Sequence, residues 1–210
     1  MEISAFLVQA INGLAGASSL FLVAAGLSLI FGVTRVVNFA HGSFFMLGVY
    51  LAYSLVAHAT PWLRPYAPNL VVFFALVFCA GLVTGAVGAA FEVVILRRIY
   101  QAPELFQLLA TFALALVVQD ATLWLWGPED LLGPRAPGLE GAVNIFGRLI
   151  PSYDLFLMGV GPLVLWALWY VLRHSRFGLL VRAATQDREM LGALGINPRY
   201  LFTSVFALGC

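Results

Sequence analysis

The sequence predicts an all-α, polytopic membrane protein, and two observations lead to this prediction. Hydrophobic residues make up 62% of the 210 residues and charged residues only 10%, whereas an average soluble domain is about 25% charged. The apolar residues also fall into long runs, and a helix needs about 20 such residues to cross the hydrocarbon core. We therefore expect about five full transmembrane helices, the start of a sixth, and a short helix outside the membrane before it.

The five predicted spans are long apolar runs that end at charged residues, prolines or glycines. They cover residues 5–33, 38–59, 68–96, 104–126 and 153–172. In the third span, Gly81, Gly85 and Ala89 are spaced four apart, which predicts a seam where another helix packs closely. Pro198 opens a sixth span that is too short to cross. We therefore expect the chain to be incomplete at its C-terminus, either as a fragment or as a natural truncation.

The distribution of arginine predicts the orientation of the spans. All 11 basic residues are arginine. With the N-terminus outside, eight of them fall in the cytoplasm (Arg35, Arg97, Arg98, Arg173, Arg176, Arg182, Arg188 and Arg199) and three outside (Arg64, Arg135 and Arg148). Cytoplasmic loops carry the excess of positive charge in membrane proteins, so this orientation is predicted and residues 177–199 are cytoplasmic.

Residues 177–199 are the longest polar stretch of the chain, and their pattern predicts a short capped helix. Thr185 is the predicted N-cap, because its hydroxyl can accept from a free N–H of the next turn. Asp187 and Glu189 then fall in the first turn, where the helix dipole favours carboxylates. An ordinary polar loop between two spans is the alternative interpretation of the same pattern.

The second half of this stretch predicts where the short helix ends and the next begins. Met190, Leu191 and Leu194 form an apolar stripe at helical spacing. Gly195 is the predicted C′ residue, since glycine adopts the left-handed conformation without a Cβ clash. Residues 197–198, Asn-Pro, then predict an N-cap and first-turn proline.

Three stretches in this order resemble the permeases of branched-chain amino acid ABC importers. They are GLSLIFG at 26–32 leading into VNFAHG at 37–42, LLAT at 108–111 running through Gln119-Asp120 to Trp126-Gly127, and 178–197 with Arg182-Ala183, Asp187 and Gly195-Ile196-Asn197. The resemblance implies a single transmembrane permease domain over 1–210, with a cytoplasmic coupling loop at 177–197. The residues implied to couple to the ATPase are Arg182, Ala183, Thr185, Asp187, Glu189, Leu191, Leu194 and Gly195.

The resemblance also implies a function and a set of partners. The chain would move branched-chain amino acids, or related small polar solutes, across the inner membrane by alternating access. Two cytoplasmic ABC ATPase subunits, a second permease subunit and an extracytoplasmic solute-binding protein would assemble with it. The chain has no Walker A motif, so ATP hydrolysis would belong to a separate chain.

Five polar residues within or between the spans are candidates for the translocation path: Asn38, His41, Thr111, Gln119 and Asp120. Asn38 and His41 lie in the turn between the first two spans, and our preferred interpretation is a satisfied cap rather than a gate. A carboxylate at the bilayer centre costs about 2.5–3.5 kcal/mol, so Asp120 is expected to face protein or water. Lining an outer vestibule and bonding to a neighbouring helix are equally compatible with its position.

The remaining polar groups predict structure rather than chemistry. We expect Glu92 to pair with Arg35 or Arg97 near the inner surface. No HExxH, GxSxG or CxxC motif is present, so we expect neither an enzyme nor a metal or cofactor site. The net charge of +1 gives no basis for nucleic-acid binding. A secondary transporter or channel without an ATPase is the alternative function, with Asp120, Glu92 and His41 as ion or proton sites.

Overall fold

The computed structural model describes residues 3–129, 131, 133, 135–145 and 148–210. In this part of the chain, five helices are long and apolar enough to cross a membrane, as the sequence predicted. They are α1 (Ile3–Thr34), α2 (His41–Leu63), the span Asn69–Ile99, α5 (Glu104–Trp126) and α6 (Ser152–His174). Three shorter helices follow: α7 (Arg176–Gln186), α8 (Arg188–Ala193) and α9 (Pro198–Gly209).

The third span changes its helical form near one end. It begins as α3 (Asn69–Phe91), continues as a π-helical segment (Glu92–Leu96) and ends as the short α4 (Arg97–Ile99). The backbone N–H of Arg97 donates to the carbonyl of Glu92, five residues earlier. This wider turn changes which side chains share a face of the helix.

The structure contains one element that was not predicted from the sequence, a two-stranded antiparallel hairpin between α5 and α6. Strand β1 (Ala142–Ile145) pairs with β2 (Arg148–Pro151), with Val143 opposite Ile150. Ile150 is buried, whereas the neighbouring Leu149 is exposed. Through Ile150, the hairpin therefore packs at the end of α6 that lies opposite to α7.

The last helix, α9, packs between α1 and α3 and depends on glycine to do so. A Cβ on Gly26 of α1 would lie 2.2 Å from the carbonyl oxygen of Gly209, and one on Gly85 of α3 would lie 2.7 Å from that of Ala207. Both contacts are with backbone, which cannot rotate away. The predicted seam is therefore correct at Gly85 but not at Gly81, where a Cβ would have nothing within 4 Å.

Candidate functional site

Segment 177–197 contains two helices separated by a break, and not the single helix predicted from Thr185. Thr185 lies inside α7, where its hydroxyl donates to the carbonyl of Arg182 at 2.7 Å. Asp187 ends α7 in an extended conformation, and its Oδ1 accepts from the backbone N–H of Met190 at 2.9 Å. The predicted cap is therefore wrong by two residues, because Asp187 satisfies the free N–H of α8 that was assigned to Thr185.

The end of α8 has the geometry that the sequence predicted. Gly195 has a φ of 80°, and its N–H donates to the carbonyl of Gly192 at 3.0 Å. The N–H of Ile196 donates to the carbonyl of Leu191 at 3.3 Å, which completes a Schellman motif. Asn197 then caps α9 by accepting from the N–H of Arg199, with Pro198 in the first turn. The sharp reversal between α8 and α9 is therefore fixed by local backbone chemistry.

The apolar stripe of α8 is divided between the interior and the surface. Leu191 is 3% exposed and belongs to a cluster with Val33 of α1 and residues of α7 and α9. Met190 and Leu194 are 58% and 71% exposed. Since residues four apart lie on the same side of a helix, these two side chains form one apolar face. The side chains of Arg188 and Glu189 lie outside the described part of the structure.

Hydrogen bonds connect α7 to the ends of two spans, α1 and α6. Arg35 follows α1 with a φ of 57°, and its guanidinium donates to the carbonyl of Thr185 at 3.0 Å. Arg182 donates to the carbonyl of Leu172 near the end of α6. Ala183 is half-buried, and its carbonyl accepts the N–H of Asp187 that ends the helix. The last turn of α7 is therefore held to the end of α1 by a hydrogen bond.

Three of the five path candidates lie together where the turn between α1 and α2 meets α5. Asn38 Oδ1 accepts from the N–H of Ala40, which is why α2 begins at His41 and not at Asn38. His41 Nε2 lies 3.0 Å from the carbonyl oxygen of Val23, and the Thr111 hydroxyl donates to that of Val37 at 3.4 Å. All three candidate side chains are buried. Asn38 therefore closes a local turn before the helix and does not cap α2, whose N-cap is Ala40 with no side-chain hydrogen bond. Because Asn38 Nδ2 also has no hydrogen-bond partner within the described residues, the predicted satisfied cap is wrong.

The other two candidates, Gln119 and Asp120, are on a different side of α5. Asp120 lies nine residues after Thr111, which places it about 180° around the helix. Both Gln119 and Asp120 are exposed, and the exposed apolar side chains of Leu116 and Trp124 lie on the same helix. The structure therefore does not bring the five candidates together, and a path along one face of this chain alone does not include all of them.

A buried ionic cluster joins the third span to α9, and the sequence predicted only half of it. Arg97 donates to Glu92 Oε2 at 3.0 Å, as one of the two expected pairings proposed. The hydroxyl of Thr203 in α9 also donates to Glu92 Oε2 at 2.6 Å and accepts from Arg97 at 2.6 Å. Glu92 is 0% exposed. The role of Thr203 could not be predicted, since nothing in the sequence sets its position relative to Glu92.

Residues five apart point about 140° away from each other in a regular α-helix. The π-helical segment brings Glu92 and Arg97 closer to one face, which allows the ion pair to form inside one helix.

These features define a class of protein: a polytopic membrane protein with buried polar groups at the junctions of its helices and a polar segment between two of them. A family model described as "Branched-chain amino acid transport system / permease component" matches residues 9–210. The chain therefore belongs to this family of membrane permeases, as its three sequence stretches indicated.

Individual relatives agree with this assignment. The chain is 27% identical to the high-affinity branched-chain amino acid transport system permease protein BraD of Pseudomonas aeruginosa, over 99% of this chain and 68% of that protein. It is 26% identical to the corresponding protein LivH of Salmonella typhimurium and 27% identical to LivH of Escherichia coli K12, in both cases over 97% of this chain and 67% of the relative. No solved structure matches.

Proposed function

We propose that this chain is a transmembrane subunit of an ABC importer for branched-chain amino acids, and that separate ATPase subunits drive it through segment 177–197. The family and the names of its relatives support branched-chain amino acids as the substrate class. The absence of a Walker A motif in the sequence assigns ATP hydrolysis to another chain. The chain is then a transport subunit and not itself an enzyme.

The observation that carries the proposal is the division of α8 into an anchored side and an exposed apolar side. Leu191 holds the helix to the core, while Met190 and Leu194 project outward. Exposed apolar side chains that adjoin one another are typical of a protein interaction site. A six-residue helix with one side fixed is suited to receive a partner and to transmit the partner's movement.

The contacts of α7 and α8 supply a physical route for that movement. Leu191 packs in the same cluster as Val33, near the end of α1. Arg35, two residues later, holds the carbonyl of Thr185. The same turn then continues to Asn38 and the start of α2. Displacement of α8 by the ATPase would therefore shift the junction of α1 and α2, and we propose this shift as the way in which the movement reaches the spans in an alternating-access mechanism.

The exposed position of Asp120 supports a second permease subunit. If a carboxylate faces lipid near the membrane centre, inserting it costs a free energy of about 2.5–3.5 kcal/mol. Contact with a second permease chain, or with water between two chains, removes this cost. We therefore assign Gln119 and Asp120 to the surface between two permease subunits, where the translocation path would lie. An extracytoplasmic binding protein would deliver the amino acid from the side of the hairpin.

The distribution of arginine supports the orientation within the inner membrane that this assembly needs. With the N-terminus outside, eight of the 11 arginines, including those of segment 177–197, are cytoplasmic. The ATPase subunits can then reach α8.

Affinity purification of the tagged chain from solubilised membranes, followed by mass spectrometry, tests this proposal. We expect a Walker A ATPase to copurify with the wild type and to be lost with Leu194→Ser. Leu149→Ser is a matched control, since Leu149 is 73% exposed, like Leu194 at 71%, but lies in the hairpin at the opposite end. If no ATPase is recovered with the wild type, the importer proposal fails and a secondary transporter or channel takes its place.

A further inference from the structure

A cavity at one end of the third span is independent of the features used above. It has a volume of about 320 Å³ and lies between α4 and the start of α9. Its lining includes three arginines, Arg97, Arg98 and Arg199. Glu92 is the one acidic residue among its described lining residues.

The accessible charge of this cavity is positive. Glu92 is 0% exposed, and its charge is offset by Arg97 at 3.0 Å. Arg98 and Arg199 are exposed, and neither forms an ion pair within the described residues. Burial and, secondly, the negative charge of Glu92 raise the pKa of Tyr100, so this hydroxyl stays protonated and adds no negative charge.

Two further observations indicate a ligand that is an anion. The buried Nε–H of Arg97 has no hydrogen-bond partner within the described residues, so one residue that lines the cavity has an unused donor. Pro198 also lines the cavity, which places the N-terminal end of α9 at its edge. The N-terminus of a helix carries a partial positive charge that favours anions.

We propose that this cavity binds a phosphate group, either that of an anionic lipid headgroup or free phosphate. The planar fork of arginine matches the oxygens of phosphate and binds them bidentately. Basic pockets between transmembrane helices near the membrane surface bind anionic headgroups. The cavity lies where the span Asn69–Ile99 ends, and a helix that crosses the membrane has its ends close to the headgroup phosphates.

A bound phosphate would add a polar connection between two helices that already meet through Thr203, the glycine contacts and the packing of Phe206 in one cluster with Leu96. Arg98 belongs to α4, and Arg199 belongs to α9. One anion held by both would bring these helices together and offset the repulsion between their charges. Lipid composition would then influence how firmly α9 is held against the third span.

The test is a thermal-unfolding titration of the purified full chain in neutral detergent with phosphatidylglycerol, phosphatidylcholine or inorganic phosphate. Phosphatidylglycerol should raise the Tm of the wild type, and phosphatidylcholine should not. Each interfacial arginine contributes enough binding energy that R98Q/R199Q should raise the half-saturating concentration about 30-fold. Arg64→Gln is the control, because Arg64 is also exposed but lies in the loop at the opposite end of the spans.

The response to inorganic phosphate shows whether the bound phosphate belongs to a lipid or is free. If inorganic phosphate gives the same shift and competes with phosphatidylglycerol, free phosphate is sufficient. If it gives no shift, the ligand is the lipid headgroup. An equal response of the wild type and R98Q/R199Q to phosphatidylglycerol would overturn the proposal, as would a wild type that responds to neither phosphatidylglycerol nor inorganic phosphate. Native mass spectrometry, which counts bound lipid directly, gives a second measurement should a variant unfold early.

Discussion

Replacing Arg97 with methionine should strongly destabilise the fold, because it leaves the carboxylate of Glu92 buried without its charge partner. Methionine keeps much of the apolar stem of arginine but removes the guanidinium. Glu92 would retain the hydroxyl of Thr203 at 2.6 Å as its remaining donor. The carboxylate is fully buried in the wild type, so the loss of the guanidinium leaves its negative charge poorly compensated.

The expected loss of unfolding free energy follows from comparing the cluster with and without the guanidinium of Arg97. Removing one partner of a buried ion pair costs about 3–5 kcal/mol. Arg97 is partly solvated, with 29% of its side chain exposed, which favours the lower end of that range. For a chain of this length, each kcal/mol corresponds to roughly 2–4 °C in Tm, so we expect a decrease of about 6–12 °C. The double variant Glu92→Leu, Arg97→Met removes both charges and should recover most of the loss.

The assay is thermal unfolding in one detergent of the wild type, Arg97→Met, the double variant and the control Arg64→Met. The control should lie within about 0.5 kcal/mol of the wild type, since its side chain is exposed. The reasoning would be refuted if Arg97→Met were as stable as the control. It would also be refuted if the double variant were less stable than Arg97→Met, because the charge of Glu92 would then not be the cause.

Three further substitutions test other parts of the account. Gly26→Ala should cost about 1–3 kcal/mol, because its Cβ would lie 2.2 Å from the Gly209 carbonyl oxygen, whereas Gly16→Ala has nothing within 4 Å and should not reduce the Tm. Gly195→Val should weaken ATPase copurification, since the φ of 80° costs a residue with a Cβ about 1–2 kcal/mol; unchanged copurification would count against docking at α8. Asp120→Asn should alter leucine uptake at normal expression if Asp120 lines the path, whereas normal uptake with lost expression would indicate a packing role.

The spans could be predicted from the sequence because they depend on one averaged property, apolar length. Helix α5, the fourth predicted span, begins at Glu104 and ends at Trp126 as predicted, since proline precedes it and glycine follows it. The start of α2 was placed three residues too early. Asn38 bonds to a backbone N–H outside the helix, and this local turn has the same residue types as a helix N-cap.

Features that depend on contacts between distant residues could not be predicted. The pairing of Glu92 with Thr203 joins residues 111 apart in sequence. The pairing of Glu92 with Arg97 depends on a π-helical segment, for which the sequence carries no local signal. The separation of Asp120 from Thr111 followed from helical spacing alone, but its consequence appeared only when the buried face of α5 was known. The hairpin was missed because its two four-residue strands lie in a polar loop.

Segment 177–197 illustrates both outcomes. Gly195 and Asn197 were predicted correctly because their roles are local and stereochemical. Thr185 and Asp187 both carry an oxygen that can cap a helix, and the choice between them depends on where α7 ends. The inward direction of Leu191 depends on the cluster around it, so the stripe predicted an apolar face but not which residue anchors it.

The central claim is that the exposed face of α8 binds an ATPase, and site-specific photocross-linking in native membranes tests it most directly. A photoreactive amino acid would replace Leu194 in one variant and Leu149 in another, because both positions are about equally exposed. We expect a cross-link from position 194, but not from position 149, to a protein with a Walker A motif. Cross-links from position 194 to lipid alone, or to the same products as position 149, would contradict it.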